Sequence, residues 1–279
     1  MDIESQQFHH QTASQPINVV ALHCSLSTGQ QWSKLRDELG TSATLWTPDL
    51  AGYGVNVPFD DPRPYRLDTE VELLAETLTV VAGPIHLIGH SYGGAVAFKL
   101  ATSAKFKTRI ASLTLIEPVL PSILLARPCD RRLYEDFALE AARICTSLWG
   151  YDRVVGLQRF LEFWNGPGCW DALSSVKRQS LLERVYKLAA DFTAIFGEAD
   201  VASLAAGIIA PTLLFSGTRS PFATQRIVER LSTDISNARS ISVPAAGHML
   251  AITHAAEINA HLVRNIRNLP TGSRMGNAA

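Results

Sequence analysis

The chain alternates between short apolar runs rich in β-branched residues and longer stretches in which apolar residues recur every three or four positions. The short runs predict strands buried on both faces, and the longer stretches predict amphipathic helices. Strands are predicted over residues 17–22, 43–47, 85–88, 110–116, 211–216 and 240–243, and helices over 30–39, 68–78, 95–101, 224–231 and from 249 to about 266. Because strands and helices alternate with short connections, we predict an α/β fold with a mostly parallel, doubly wound sheet.

The alternation stops in the middle of the chain. Residues 119–204 keep helical spacing without a strand pattern, and three of the five tryptophans lie there. An insertion after the carboxyl end of a strand lies over the ligand site of an open α/β sheet, so we predict a helical cap. The predicted organisation is a sheet domain over 17–118 and 205–269, the cap over 119–204, and polar tails over 1–16 and 270–279.

Composition and charge argue against several classes of function. The net charge is −1 and the 25 basic residues form no cluster, so we expect no nucleic-acid partner. No stretch reaches 18 apolar residues and the amino terminus lacks an apolar leader, so we expect a cytoplasmic monomer or homodimer without membrane contact. The cysteines lack metal-binding spacing and predict free thiols in a reducing compartment. No metal site or cofactor is expected, because ligand clusters, phosphate loops and dinucleotide fingerprints are missing from the sequence.

The strongest chemical signal is the segment Gly89–Gly93, which has the form G-x-S-x-G with Ser91 at its centre. It follows the apolar run 85–88 and precedes the alanine-rich run 95–101, an order that predicts strand, sharp turn and helix. A serine in such a turn is strained, with its hydroxyl presented at the end of the sheet, and the two glycines let strand and helix approach. A neutral hydroxyl is a weak nucleophile, so Ser91 needs a base within hydrogen-bond reach.

The chain resembles the α/β-hydrolase family over residues 17–118 and 211–266. The resemblance rests on four segments in the family's order, namely the loop that contains His23, residues 49–54, Gly89–Gly93, and Gly247 with His248. It implies that Ser91 is the nucleophile that attacks a carbonyl carbon and that His248 is its general base.

The resemblance also implies an oxyanion hole built from two backbone N–H groups. One is the N–H of Tyr92, directly after the nucleophile, and the other comes from Ser25 or Leu26. The family often has glycine after the loop histidine, where this chain has Cys24. Cysteine in place of glycine restricts the backbone conformations that residue 24 can adopt. Which residue supplies the second oxyanion N–H therefore stays open. Cys24 is also a competing nucleophile, but it lacks the elbow context of Ser91.

The acid of the expected triad departs from the family pattern. The family usually has an aspartate shortly after the strand at 211–216, but residues 217–222 contain no carboxylate and Ser220 stands at that place. Some members carry the acid at the end of the strand that follows the nucleophile, where this chain has Glu117. We therefore predict that Glu117 orients His248 and stabilises its protonated form. A different structural role for Glu117, or a site without an acid, are the alternatives.

The Leu-, Phe- and Trp-rich cap predicts a mainly apolar pocket for a small-molecule substrate. The expected lining residues are His23, Cys24, His90, Trp164 and Met249. His23 is also expected to shape the oxyanion loop, and His90 to pack or orient within the elbow. We expect hydrolysis of a small to medium apolar ester, lactone or thioester, or of a diketone C–C bond, through an acyl-enzyme. Two other classes use the same fold, namely a cofactor-free lyase or oxygenase with His248 as base and a ligand-binding protein without turnover.

Overall fold

The computed structural model describes residues 17–56, 65–150 and 152–268. Its strands are β1 (Asn18–Leu22), β2 (Thr44–Trp46), β3 (Ile85–His90), β4 (Ile110–Ile116), β5 (Thr212–Gly217) and β6 (Ala238–Val243). They form one parallel sheet in the order β2-β1-β3-β4-β5-β6. The predicted α/β fold with a mostly parallel, doubly wound sheet is confirmed.

Helices cover both faces of this sheet. In the described residues they are α1 (Ser33–Leu39), α2 (Leu67–Val80), α3 (Tyr92–Thr102), α4 (Arg131–Trp149), α5 (Arg153–Asn165), α6 (Ser175–Leu182), α7 (Leu188–Phe196), α8 (Val201–Ala206), α9 (Phe222–Asp234), α10 (Leu250–Thr253) and α11 (Ala255–Asn268). One apolar cluster joins the sheet to α1 and α11, and a second joins it to α2, α3, α9 and the helices between β4 and β5. Burial on both faces explains why the strands are apolar at consecutive positions. None of these helices has both the length and the apolarity needed to cross a bilayer.

Two helices depart most clearly from the prediction. Helix α3 begins at Tyr92 rather than at Ala95, because the glycines that indicate a turn in the sequence lie inside the helix. A Cβ on Gly93 would lie 2.3 Å from the carbonyl oxygen of His23, so this glycine serves the close approach of α3 to β1. The predicted last helix is divided into α10 and α11 at His254, where the backbone leaves helical geometry with φ −118° and ψ 31°.

The strand order brings several loops to one edge of the sheet. Strand β3 lies between β1 and β4. After β1 the next strand, β2, is added on one side of the sheet, and after β3 the strands β4, β5 and β6 are added on the other side. This is a topological switch point, where ligands bind in open α/β sheets. His23 follows β1, Ser91 follows β3 and Glu117 follows β4, so all three lie at the carboxyl ends of neighbouring strands.

The long insertion between β4 and β5 is helical in its described residues. Helix α4 packs against α5 and α7, and α7 also contacts α3 of the sheet domain. Side chains from α5, α6 and α7 line cavities beside Ser91, as expected of a cap over the strand ends. The cap boundaries at 119 and 204 stay a prediction, and the predicted tails over 1–16 and 270–279 lie outside the described residues.

Candidate active site

Ser91 occupies a strained turn between β3 and α3. Its backbone angles are φ 56° and ψ −117°, a conformation that costs a residue with a Cβ of order 1–3 kcal/mol. Glycine at position 89 is required, because a Cβ there would lie 2.2 Å from the carbonyl oxygen of Gly93. The Ser91 N–H donates to the carbonyl oxygen of Ile116 at 2.9 Å and ties the turn to β4. The strand, turn and helix therefore stand in the arrangement that the G-x-S-x-G segment predicts.

A continuous hydrogen-bonded chain runs from Ser91 through His248 to Glu117. His248 lies in the loop between β6 and α10, and its Nε2 is 2.8 Å from Ser91 Oγ. Its Nδ1 is 2.6 Å from Glu117 Oε2. All three side chains are buried. Since Glu117 accepts a hydrogen bond from the Nδ1–H of His248, the lone pair of Nε2 faces the serine hydroxyl and can take its proton.

Glu117 is held in place by the backbone of β5. Its second oxygen, Oε1, accepts a hydrogen bond from the Gly217 N–H at 2.6 Å. Burial would raise the pKa of this carboxyl group, but its interactions with His248 and Gly217 outweigh burial and lower the pKa below the usual value. Glu117 is therefore ionised at neutral pH and can stabilise a positive charge on His248. Ser220, which stands where the family has its aspartate, is buried nearby, but among the described residues its hydroxyl oxygen has no hydrogen-bond partner within bonding geometry.

His23 and His90 are buried in the frame of the site and lie outside both cavities that border Ser91, so their expected place in the pocket lining is wrong. His90 Nε2 donates to the carbonyl oxygen of His248 at 2.9 Å, and its Nδ1 accepts from the Gln31 amide at 3.1 Å. Burial lowers the pKa of His90 to about 3, so this ring stays neutral. His23 Nδ1 donates to the carbonyl oxygen of Cys24, and its Nε2 accepts from the backbone of Leu50. Both ring nitrogens of each histidine therefore already have hydrogen-bond partners within the frame of the site.

The residues predicted to supply the oxyanion donors border the cavities that Ser91 also borders. Tyr92 is the first residue of α3, where a backbone N–H has no partner within the helix and the helix dipole favours negative charge. Ser25 and Leu26 border the cavity that Ser91 enters. The left-handed backbone in this loop falls on Leu26, with φ 61°, and not on Cys24. Cys24 therefore occupies a backbone conformation that does not require glycine.

Two cavities meet at Ser91. The larger has a volume of about 430 Å³ and is lined mainly by apolar side chains of the cap and of the loops before α1 and α10. Its lining includes Cys24, Trp164 and Met249, as predicted. The smaller has about 20 Å³, room for roughly one water molecule.

Burial raises the pKa of Cys24 to about 12, so its thiol stays protonated, which disfavours Cys24 as the nucleophile.

Comparison with known proteins identifies the family. The model of the alpha/beta hydrolase family matches residues 19–261. The chain belongs to the alpha/beta hydrolase family. A curated relative, the lipase LipV of Mycobacterium tuberculosis, is 33% identical over 108 residues, which is 38% of this chain and 39% of the lipase. The match thus spans about two fifths of the length of this curated relative.

Solved structures share the fold of this alpha/beta hydrolase. MenH from S. aureus superposes with a TM-score of 0.71 at 19% identity, over 90% of this chain and 95% of the other. An esterase from Thermogutta terrifontis has a TM-score of 0.68 at 19% identity, over 91% and 90%. The 2-hydroxy-6-oxo-6-phenylhexa-2,4-dienoate hydrolase of a Rhodococcus species has a TM-score of 0.67 at 18% identity, over 91% and 92%.

In this alpha/beta hydrolase the helical insertion between β4 and β5 contacts the candidate base directly. The indole of Trp164 on α5 stacks on the ring of His248, with centroids 4.0 Å apart and an interplanar angle of 24°. Trp164 also borders both cavities, and among the described residues its buried Nε1 has no hydrogen-bond partner. An aromatic face favours a cation above it, so the indole stabilises His248 when the ring is protonated.

Replacing Trp164 with leucine is expected to lower kcat about tenfold, because a desolvated cation–π contact contributes about 1–2 kcal/mol. Trp164→Phe, which retains a ring face, should keep more activity than Trp164→Leu. Steady-state hydrolysis of a p-nitrophenyl ester measures this, with melting temperature as a check on folding. Phe160→Leu is the matched control, since Phe160 borders both cavities without stacking on His248. Equal losses in Trp164→Leu and Phe160→Leu would show that the stacking contributes nothing specific.

Sequence reasoning missed several residues that the fold brings to the site. Phe160, Leu181 and Ile252 line the larger cavity. Their spacing along the helices is that of ordinary core residues, so the sequence does not distinguish them as cavity residues. Asp191 borders the smaller cavity, and the sequence does contain a feature that could have indicated it. It is the single charged residue in the apolar helix Leu188–Phe196, and a charge on a buried helix face indicates a specific partner.

Proposed function

We propose that this protein is a serine hydrolase that cleaves a small to medium, mainly apolar ester, lactone or thioester through an acyl-enzyme on Ser91. The observation that carries the proposal is the hydrogen-bonded chain from Ser91 Oγ to His248 and Glu117, with distances of 2.8 and 2.6 Å. Ser91 is the nucleophile, His248 the general base and acid, and Glu117 the group that orients and stabilises the histidine.

In acylation, Ser91 Oγ attacks the substrate carbonyl carbon while its proton passes to His248 Nε2. The carbonyl oxygen becomes an oxyanion, which the Tyr92 N–H and a second N–H from Ser25 or Leu26 would stabilise. When the tetrahedral intermediate collapses, the bond to the leaving group breaks and the imidazolium donates its proton to that group. In deacylation water attacks the acyl-enzyme by the same route, the acid is released and Ser91 regains its proton.

The cavity supports an apolar substrate. The larger cavity is lined by cap side chains such as Phe160, Trp164 and Leu173, and its volume of about 430 Å³ lies in the range of small-molecule sites. The cleavage of a diketone C–C bond uses the same serine chemistry and remains the second substrate class. The free cysteines of the described residues support the predicted cytoplasmic location.

The link between Glu117 and His248 also bears on the non-hydrolytic alternatives. A lyase or oxygenase that used only His248 as base, or a binding protein without turnover, would not require the serine hydroxyl to be aligned with an imidazole that a carboxylate orients. Here all three side chains are buried and joined in sequence by hydrogen bonds. This arrangement favours nucleophilic catalysis over a histidine that acts alone.

A fluorophosphonate probe tests the proposal, because it forms a covalent bond only with an activated serine. We expect labelling of the peptide that contains Ser91, at least about a hundredfold slower in His248→Ala because a positioned general base contributes 10²–10⁴-fold. His254→Ala is the matched control and should react like the unmodified protein, since His254 bonds to Thr253 and lies outside both cavities. A folded protein that resists the probe would contradict the proposal and favour a lyase, an oxygenase or a binding protein.

A further inference from the structure

A buried ion cluster joins the cap to the sheet domain next to the candidate active site. Its charged members are Glu70 of α2, Lys187 at the start of α7 and Asp191 within α7, which are 0%, 1% and 2% exposed. Lys187 Nζ lies 2.5 Å from Asp191 Oδ1 and 3.3 Å from Glu70 Oε2. Removing ions from water offsets most of their attraction, so stability alone is a weak explanation for such a cluster. Its contacts indicate what it holds in place.

Asp191 connects this cluster to the oxyanion loop, which we define as residues 24–27. Asp191 Oδ2 accepts hydrogen bonds from the Ser25 hydroxyl at 2.6 Å and from the Tyr53 hydroxyl at 2.5 Å. Burial, and after it the charge of Asp191, raises the pKa of Tyr53 well above its usual value, so that hydroxyl remains a donor. With Lys187 on its other oxygen, Asp191 already has three donors. Such a carboxylate is suited to positioning its neighbours rather than to binding a substrate group.

The oxyanion loop needs support because it contains a strained residue. Leu26 has φ 61°, a left-handed conformation that residues other than glycine adopt at a cost. Such a conformation persists only where the surroundings hold it. The Cys24 N–H donates to Gln31 Oε1 at 3.1 Å, which fixes the loop from the sheet domain. The Ser25 hydroxyl bonds to Asp191, which fixes the loop from the cap.

We propose that Asp191 is a positioning residue whose bond to the Ser25 hydroxyl makes completion of the oxyanion hole depend on docking of cap helix α7. The inference rests on the proposed serine hydrolase function and deepens it, because it gives the cap a part in catalysis beyond lining the pocket. Asp191 and Ser25 both border the smaller cavity beside Ser91. The link therefore borders the same small cavity as Ser91.

Ser25→Ala breaks the link and keeps the backbone N–H groups. We expect kcat to fall about 10- to 100-fold with KM within about threefold, since an oxyanion donor acts in the transition state and its full removal costs 10²–10³ in kcat. Asp191→Asn should show a similar loss, and the double variant little more, because both break one interaction. Ser25→Thr, which keeps a hydroxyl, should recover most of kcat. Tyr53→Phe is the matched control, because it removes the other hydroxyl that donates to Asp191 Oδ2. If Asp191 acts on kcat through its bond to the oxyanion loop, this variant should keep kcat within about threefold of the unmodified protein.

Hydrogen exchange of the peptide over residues 22–32 provides a readout that is independent of turnover. Exchange in this peptide should be faster in Ser25→Ala and Asp191→Asn than in the unmodified protein and in Tyr53→Phe, because the loop opens more often. Unchanged exchange in both variants would overturn the link. Faster exchange with unchanged kcat would overturn the positioning role. If the unmodified protein neither reacts with fluorophosphonate nor hydrolyses esters, the proposed function fails, and the exchange data still decide whether Asp191 holds the loop.

Discussion

Replacing Glu117 with glutamine is expected to lower kcat by on the order of a thousandfold or more, although the two side chains have nearly the same shape. The Gly217 N–H donates to Glu117 Oε1 at 2.6 Å, so this position requires an acceptor. The glutamine oxygen would occupy it, and the amide NH₂ would then face His248 Nδ1. That contact selects the tautomer with the proton on Nε2, which cannot take a proton from Ser91. The variant also loses the charge that stabilises the imidazolium.

Steady-state hydrolysis of p-nitrophenyl esters measures this loss, and a thermal melt checks that the variant is folded. Glu198→Gln is the matched control, because Glu198 is also a buried carboxylate but pairs with Lys99 away from the cavities beside Ser91. It should leave kcat within a few-fold. Activity of Glu117→Gln within a few-fold of the unmodified protein would remove Glu117 from the triad and leave it a structural role at the end of β4.

Ser91→Ala is expected to reduce kcat at least about 10⁴-fold, because removal of the nucleophile leaves only what the oxyanion hole and substrate binding contribute. Stability gives a second signature of the elbow. Ser91 has φ 56° and ψ −117°, which glycine adopts without the strain that a Cβ imposes. Ser91→Gly should therefore be equally inactive and yet melt at a higher temperature than Ser91→Ala, whereas glycine elsewhere usually destabilises relative to alanine.

Kinetic assays and melting curves on the two variants check both parts. Ser103→Ala is a suitable control, since Ser103 lies just beyond the other end of helix α3 and bonds to the backbone there. It should keep full activity. Substantial turnover in Ser91→Ala would show that His248 acts without a serine nucleophile, as in the lyase or oxygenase alternative. A lower melting temperature for the glycine variant would contradict a strained elbow.

Local sequence patterns were sufficient for the fold, and together with the resemblance to the α/β-hydrolase family they indicated the groups that the structure joins at Ser91. Strands buried on both faces leave consecutive apolar positions, and the G-x-S-x-G segment between such a strand and a helix marks one end of the sheet. Glu117 could be predicted as the partner of His248 because the ends of adjacent parallel strands meet at one edge. The elbow strand and the strand before Glu117 are neighbours in the sheet.

The contacts made by the cap could not be predicted in the same way. Trp164 stacks on His248 and Asp191 bonds to Ser25, and both contacts join residues far apart in the chain through packing of the insertion on the sheet domain. A pattern of apolar spacing shows that a helix has a buried face, but not which residue faces which partner. The burial of His90 likewise depends on the Gln31 amide and the His248 carbonyl, which only the folded loops bring to its ring.

An acyl-enzyme on Ser91 is tested most directly by the mass spectrum of a first turnover. The enzyme is mixed in excess with p-nitrophenyl butyrate, quenched in acid within that turnover and digested. The catalytic role proposed for Ser91, His248 and Glu117 predicts one butyryl group on the peptide that contains Ser91, absent when Ser91 is replaced with alanine. Release of p-nitrophenol at the full catalytic rate, with that peptide unmodified at every quench time, would contradict it.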